Sequence, residues 1–467
     1  MMDSLIREPI SRLHGLAVLL LLVLLVACAP VSLTATKAPL TQTPAQPTAV
    51  TTIPTSTPTS KPTSTVTLPP TPTARPTSTA TSSPQPTATA RPIDTSALAN
   101  PARNPFVQLV PRDAGATGQP GTVVESESPL VYLYPELRQA AAPVWLREGV
   151  RVTYYAQGAS VAQTPNEKST AWAGLIQYDL VALDAKAAVT SAKFYLMGSN
   201  NVVTPSFVVS SLGIPGVGDY WVDPKVLQTA ERVTSAELAI VHMPTTISGK
   251  NYRAVRFQYN PAGAEYVWMY EEGSGILLFY RHAIGRDTDA RKLLADITLI
   301  NQRQLSLPWQ AASVPAWVAA GARLRYEGSY TPLVMGSPAT SFSYAASVEI
   351  VRSYPRWCEY VVTDYLAGRM NTTAKRISGV AQFSDALWLP REALQALREG
   401  QVLDRDPVTG AEITVSRSVQ GALLLTESGS AYRVALTYGS DGALLSLEQE
   451  INTGIAGSVA KLGLVGR

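Results

Sequence analysis

The chain of 467 residues carries 38 Lys and Arg against 35 Asp and Glu, and 2 cysteines. Six of those basic and two of those acidic side chains precede Asp94, so the body from Asp94 onward holds 32 basic against 33 acidic groups. A near-neutral body has no electrostatic footprint for nucleic acid, and two cysteines exclude a fold stapled by several disulfides.

The first element in chain order is an apolar run from Leu16 to Ala27, behind a short polar leader with Arg7 and Arg12. About a dozen apolar residues fall short of the roughly 20 that span a bilayer, and suit the core of an export signal. The run ends in Leu25, Val26, Ala27 and Cys28, which resembles the lipobox of bacterial lipoproteins. That resemblance implies removal of residues 1–27 and a diacylglyceryl group on the Cys28 thiol. Cys28 would then anchor an exported protein to the membrane of the cell envelope. Residues 28–102 read as a linker, with phrases such as "PTSTPTSKPTSTVTLPPTPTARPTSTATSSPQPT". Proline at that density removes backbone donors, and almost nothing apolar is present to bury, so an extended disordered stalk is expected. At about 3.1 Å per residue it could reach on the order of 200 Å. Residues 103–141 form a lead-in segment whose role the sequence leaves open.

The remainder repeats itself. "PVWLREGVRVTYY" at 143–155 returns as "PAWVAAGARLRYE" at 315–327, matching Trp145 to Trp317, Gly149 to Gly321 and Tyr154 to Tyr326. "FYLMG" and "DYLAG" pair Gly198 with Gly368, "WVDPKVLQ" and "WLPREALQ" pair Trp221 with Trp388, and "EYVWMYEEGSGILL" and "AYRVALTYGSDGALL" pair Gly275 with Gly442. Four matches in one order predict tandem duplication, with units at 142–303 and 314–467. Within each unit, segments such as "YRVALTY" and "LLSLEQE" are separated by turn signals such as "EEGSG" and "GSDG", the pattern of antiparallel hairpins. "PREALQALREG" and "PKVLQTAERV" read as short helices. The expectation is an α+β protein of two tandem similar domains, each a mainly antiparallel β-sheet with one or two short helices. The succession of Tyr, a Gly turn and "LLSLEQE" is similar to the curved half-barrels of bacterial lipoprotein-localisation factors. That resemblance implies a sheet wrapped around a helix with room for acyl chains.

Catalytic chemistry is sparse. His242 and His282, the histidines of the body, are isolated and lack metal-ligand spacing, so both are expected to be structural. "DRDPVTG" at 404–410 has Gly410 at position seven and Val415 at twelve, fails as a calcium loop and reads as a turn. Glu271 with Glu272, and Asp287 with Asp289, read as exposed turn residues. Cys358 lies in strand-like "PRWCEYVV" and is expected to be buried and inert. The paired tryptophans read as core. No catalytic residue, metal site or cofactor is assigned. A tethered binding module for a lipid, glycan or protein is the leading reading, with an apolar or lipid ligand expected. A purely structural envelope lipoprotein and a surface hydrolase are the alternatives. The aromatic cluster Tyr266, Trp268, Tyr270, Phe279 and Tyr280, found in the first unit alone, is the expected ligand-binding face.

Overall fold

The computed structural model describes residues 123–125, 130–159, 171–198, 201–261, 263–284, 292–309 and 312–467. The expected signal segment 1–27, Cys28, the linker 28–102 and most of the lead-in 103–141 lie outside the described residues.

Two sheets account for the body. The first contains β1 (Val123–Glu125), β2 (Val150–Ala159), β3 (Ala171–Leu183), β4 (Ala188–Met197), β5 (Val203–Gly213), β6 (Val233–Thr234), β7 (Leu238–Ile247), β8 (Lys250–Tyr259), β9 (Ala264–Glu271), β10 (Leu277–Ile284) and β11 (Lys292–Gln304). The second contains β12 (Arg323–Val334), β13 (Ser337–Pro338), β14 (Phe342–Ser353), β15 (Trp357–Leu366), β16 (Arg369–Gly379), β17 (Val402–Arg405), β18 (Glu412–Arg417), β19 (Leu423–Ser428), β20 (Tyr432–Tyr438), β21 (Leu444–Asn452) and β22 (Ala456–Gly466). Pairing is antiparallel throughout both sheets except between β1 and β5.

The spatial orders are β5-β4-β3-β2-β11-β10-β9-β8-β7-β6, with β1 beyond β5, and β16-β15-β14-β12-β22-β21-β20-β19-β18-β17. Apart from the small strands β1 and β13 the two paths are the same. Four strands run outward as a meander, the chain crosses to the far edge, and the remaining strands return until the last pairs with the first. The crossings carry the helices Pro224–Gln228 and Arg391–Ala396. Helices of five and six residues are too short to hold themselves together in water, so they exist as parts of the crossings. The protein is therefore mostly antiparallel β, with less helix than the sequence led us to expect.

Alternation sets which side chains enter each sheet's interior. On β12, Leu324 and Tyr326 are buried while Arg323, Arg325 and Glu327 are exposed. The repeated residues occupy equivalent places. Trp221 and Trp388 are both 0% exposed, and each bridges the hairpin opposite it, Trp221 to Ile276 and Trp388 to Ala443. The Trp145 and Trp317 indoles donate to the carbonyls of Ser274 and Asp441, each one residue before the paired glycine. The Tyr154 and Tyr326 hydroxyls donate to Leu277 and Leu444.

Gly275 and Gly442 have φ of +75° and +82°, and a Cβ would fall 1.7 Å from the Val222 carbonyl oxygen and 2.1 Å from that of Leu389. Left-handed backbone and close approach together require glycine there. Gly442→Ala should lower the denaturation midpoint, and Trp388→Ala should cost roughly 3–5 kcal/mol as a fully buried aromatic. Trp317 is half-buried, so its truncation should cost less. Chemical unfolding followed by far-UV circular dichroism distinguishes these outcomes, and a Trp388→Ala chain with the parental midpoint would contradict the packing.

Candidate functional site

The cluster expected to face a ligand fills the first sheet instead. Tyr266, Trp268, Tyr270 and Tyr280 are buried, with Tyr266 stacked on Trp268 at 5.8 Å and on His282 at 4.3 Å. Phe279 points the other way, half-buried, under the Arg281 guanidinium. Strand alternation separates it from the other four, and those four pack against each other.

The shared strand order allows the two interiors to be compared position by position. Trp268 opposite Tyr280 corresponds to Leu436 opposite Leu447, and Tyr266 opposite His282 to Val434 opposite Gln449. Tyr178, opposite Val152, corresponds to Val348, opposite Leu324. Tyr220, bonded to Leu277, corresponds to Leu387, bonded to Leu444. At five of these six places, all but His282 and Gln449, an aromatic ring in the first sheet is an aliphatic side chain in the second. The exchanges remove roughly two dozen heavy atoms from an interior that would otherwise be close-packed. A cavity of about 240 Å³ lies there, and Val348, Leu387, Val434, Leu436 and Leu447 all line it.

The opposite wall is polar. It forms where β16, the edge strand of the second sheet, faces β4 and β5 of the first, with Lys193, Ser206, Asp364, Arg376 and Asp385 on the lining. Lys193 makes ion pairs with Asp385 at 2.8 Å and Glu427 at 3.1 Å and donates to Ser384 at 2.6 Å. Burial opposes the Glu427 carboxylate, but Lys193, then Ser384 and Tyr432, hold its pKa well below the ordinary value. Asp364 accepts from the Thr372 hydroxyl at 3.1 Å. Ser206 is exposed, and the inward-facing Val362, Leu447 and Leu462 are half-exposed, so the hollow is reachable.

The joint between the sheets holds this wall in place. Arg151 of β2 grips Asp179 through two bonds of 2.6 and 2.7 Å, and also reaches Asp404 at 3.2 Å and Asp406 at 3.1 Å. Arg303 meets the same two aspartates at 2.6 and 2.9 Å, and Gln177 donates to Asp406 at 2.9 Å. "DRDPVTG" is thus a turn, with Asp406 accepting from the Val408 and Thr409 amides, and its carboxylates serve the joint. A second cavity, of about 290 Å³, is lined by Glu148 and Arg356. Those two charges satisfy each other, and the lining Gln304 is engaged with Arg147 and the Glu148 carbonyl.

The other chemical candidates are accounted for. Cys358 is buried, receives the Trp388 indole N–H at 3.2 Å, and burial pushes its thiol up to about 12, so it is inert at neutral pH. His242 bonds the Ala230 carbonyl and lies 3.5 Å from Glu272. Glu271 accepts from the Ser274 amide in its own turn, and Asp287 and Asp289 lie outside the described residues. Among the described residues no group of His, Cys, Asp and Glu is placed to hold a metal ion.

Burial lowers the pKa of His282 from 6.5 to about 4. The folded chain therefore binds fewer protons there than the unfolded chain, and stability is full above pH 6.5 and falls as pH drops toward 4. The depressed Glu427 extends the loss below pH 4.5. His282→Phe, which keeps a ring against Tyr266, should flatten the dependence of the urea midpoint between pH 6.5 and 4 and leave the lower limb intact. A slope unchanged by that substitution would remove His282 from the account.

No family model matches the chain, and no curated protein matches it. Among solved structures, a protein with unknown function from the DUF3598 family of Nostoc punctiforme is similar at 8% identity, with 68% of this chain and 97% of that chain covered and a TM-score of 0.13.

Proposed function

We propose that this chain is an exported lipoprotein, anchored through Cys28 and held off the membrane by its Thr- and Pro-rich linker, whose duplicated body binds a small apolar or amphipathic ligand in the hollow of its second sheet. The body binds and does not catalyse. The observation that supports the binding reading is the exchange of five aromatic residues for aliphatic ones on a common frame, at the places that border the cavity. Ligand pockets commonly start near ~300 Å³, so a volume of about 240 Å³ suits one short chain or a small ring system. The reading of the anchor rests on the sequence "LVAC" and the linker that follows it.

Each half has its own test. Cys28→Ser should abolish incorporation of radioactive palmitate and partition into detergent, and a variant that still takes up label would end the lipobox reading. For the cavity, restoring the pattern of the first sheet with Leu436→Trp and Val434→Tyr should fill the hollow. The doubly substituted full chain should lose binding of an environment-sensitive alkyl fluorophore, with circular dichroism unchanged. Undiminished fluorophore binding would place the site elsewhere.

A further inference from the structure

Among the described residues one cation on the cavity wall, Arg376, forms no ion pair. Arg376 of β16 lines the hollow, and its Nε is buried without a hydrogen-bond partner. Among the described residues its guanidinium enters no salt bridge, although the other charges of that wall are engaged. Lys193 is matched by Asp385 and Glu427. Asp364 is held by Thr372, and burial together with Asp364 pushes up the Tyr344 phenol beside it. Arg376 is half-buried on the polar wall of the hollow, and a guanidinium there with no ion pair of its own is free to take an anionic partner from outside the chain.

Comparison of the sheets makes this group specific to the hollow one. Arg376, opposite Tyr360, corresponds to Ser211, opposite Thr190, and Asp364, opposite Ala346, corresponds to Phe194, opposite Ile176. The frame therefore does not need an arginine at that place. The second sheet has lost ring volume on both walls of its interior and, on the polar one, has gained a carboxylate, held by Thr372, and a cation that forms no ion pair.

We propose that Arg376 anchors the carboxylate of an amphipathic monocarboxylic acid whose aliphatic tail lies along Val348, Leu436 and Leu447. This rests on the ligand-binding reading of the hollow. The planar guanidinium offers paired N–H donors matched to a carboxylate. An engineered cavity of ~150 Å³ takes up benzene, and by that scale a volume of about 240 Å³ takes a tail of roughly ten heavy atoms, a medium-length chain.

The test compares decanoate, decanol and decylamine by isothermal titration at pH 7.5, using the full chain with Cys28→Ser. Decanoate should bind about 10- to 100-fold more tightly than decanol, as a hydrogen bond to a charged group implies. Arg376→Gln should reduce decanoate to the level of decanol and leave decanol unchanged. Arg376→Lys, which keeps the charge and loses the fork, should fall between. Equal affinity of decanoate and decanol for the parental chain, or tighter binding of decylamine, overturns the assignment to Arg376 while the cavity reading stands. Failure of all three ligands to bind removes both. The comparison within the parental chain decides the matter even if a variant does not fold.

Discussion

Arg151 lies buried between the two sheets and stays charged there because Asp179 from its own sheet and Asp404 and Asp406 from the other surround it. Burial opposes its charge, and Asp179 foremost, with Tyr195 and Asp406, more than restores it, so its pKa rises well above the ordinary value. Removing one member of such a cluster leaves an uncompensated charge in a poor solvent, which costs about 3–5 kcal/mol. The arrangement fixes one way for the sheets to meet. Gly379 allows the close approach, since a Cβ there would fall 2.6 Å from the Val181 carbonyl oxygen, and the Ala381 amide bonds that same oxygen. Because β4 and β5 complete the polar wall of the cavity, the geometry of the hollow depends on this joint as much as on the second sheet itself.

One frame with two interiors divides the work of stability. In the first sheet aromatic rings fill the centre, and the Tyr154, Tyr178 and Tyr220 rings touch in sequence at 5.8 and 4.9 Å. Its interior is a continuous cluster of buried residues built around those rings. The second sheet gives up part of its packing around the cavity. It retains Trp388 against Cys358 and the Tyr438 hydroxyl on the Ala386 carbonyl at 2.8 Å, which keep the base of the sheet closed below the open part.

Much of the frame was legible in the sequence, because the features that recur are those the backbone demands. A glycine with positive φ, an indole N–H seeking a turn carbonyl and a tyrosine hydroxyl seeking a strand carbonyl tolerate few replacements, so Gly275 and Gly442, Trp145 and Trp317, and Tyr154 and Tyr326 stand out at matched spacing. The cavity was not legible for the opposite reason. Val434, Leu436 and Leu447 look like any core, and only their places opposite Tyr266, Trp268 and Tyr280 in the equivalent sheet reveal what is missing. Aromatic density drew attention to the first unit, where rings had simply found each other. Arg376 gave no signal at all, since an isolated arginine on an alternating strand reads as a solvated one. The role of Asp404 and Asp406 was hidden because their partners Arg151 and Arg303 lie in the other unit.

The ends of the sheets carry a consequence for life at high concentration. An open sheet edge is a template onto which another chain can add a strand. Here the outermost strands β6 and β17 extend over only Val233–Thr234 and Val402–Arg405, β5 is capped by the three residues of β1, and β16 is pressed against the first sheet. Among the described residues the edges are thus blunted by short strands and by the other sheet, and the free backbone is confined to stretches of β5 and β7 beyond their short caps. Crowding therefore bears on the outer side of β7 at residues 241–247, which β6 leaves unpaired, rather than on the strands at the centre of either sheet.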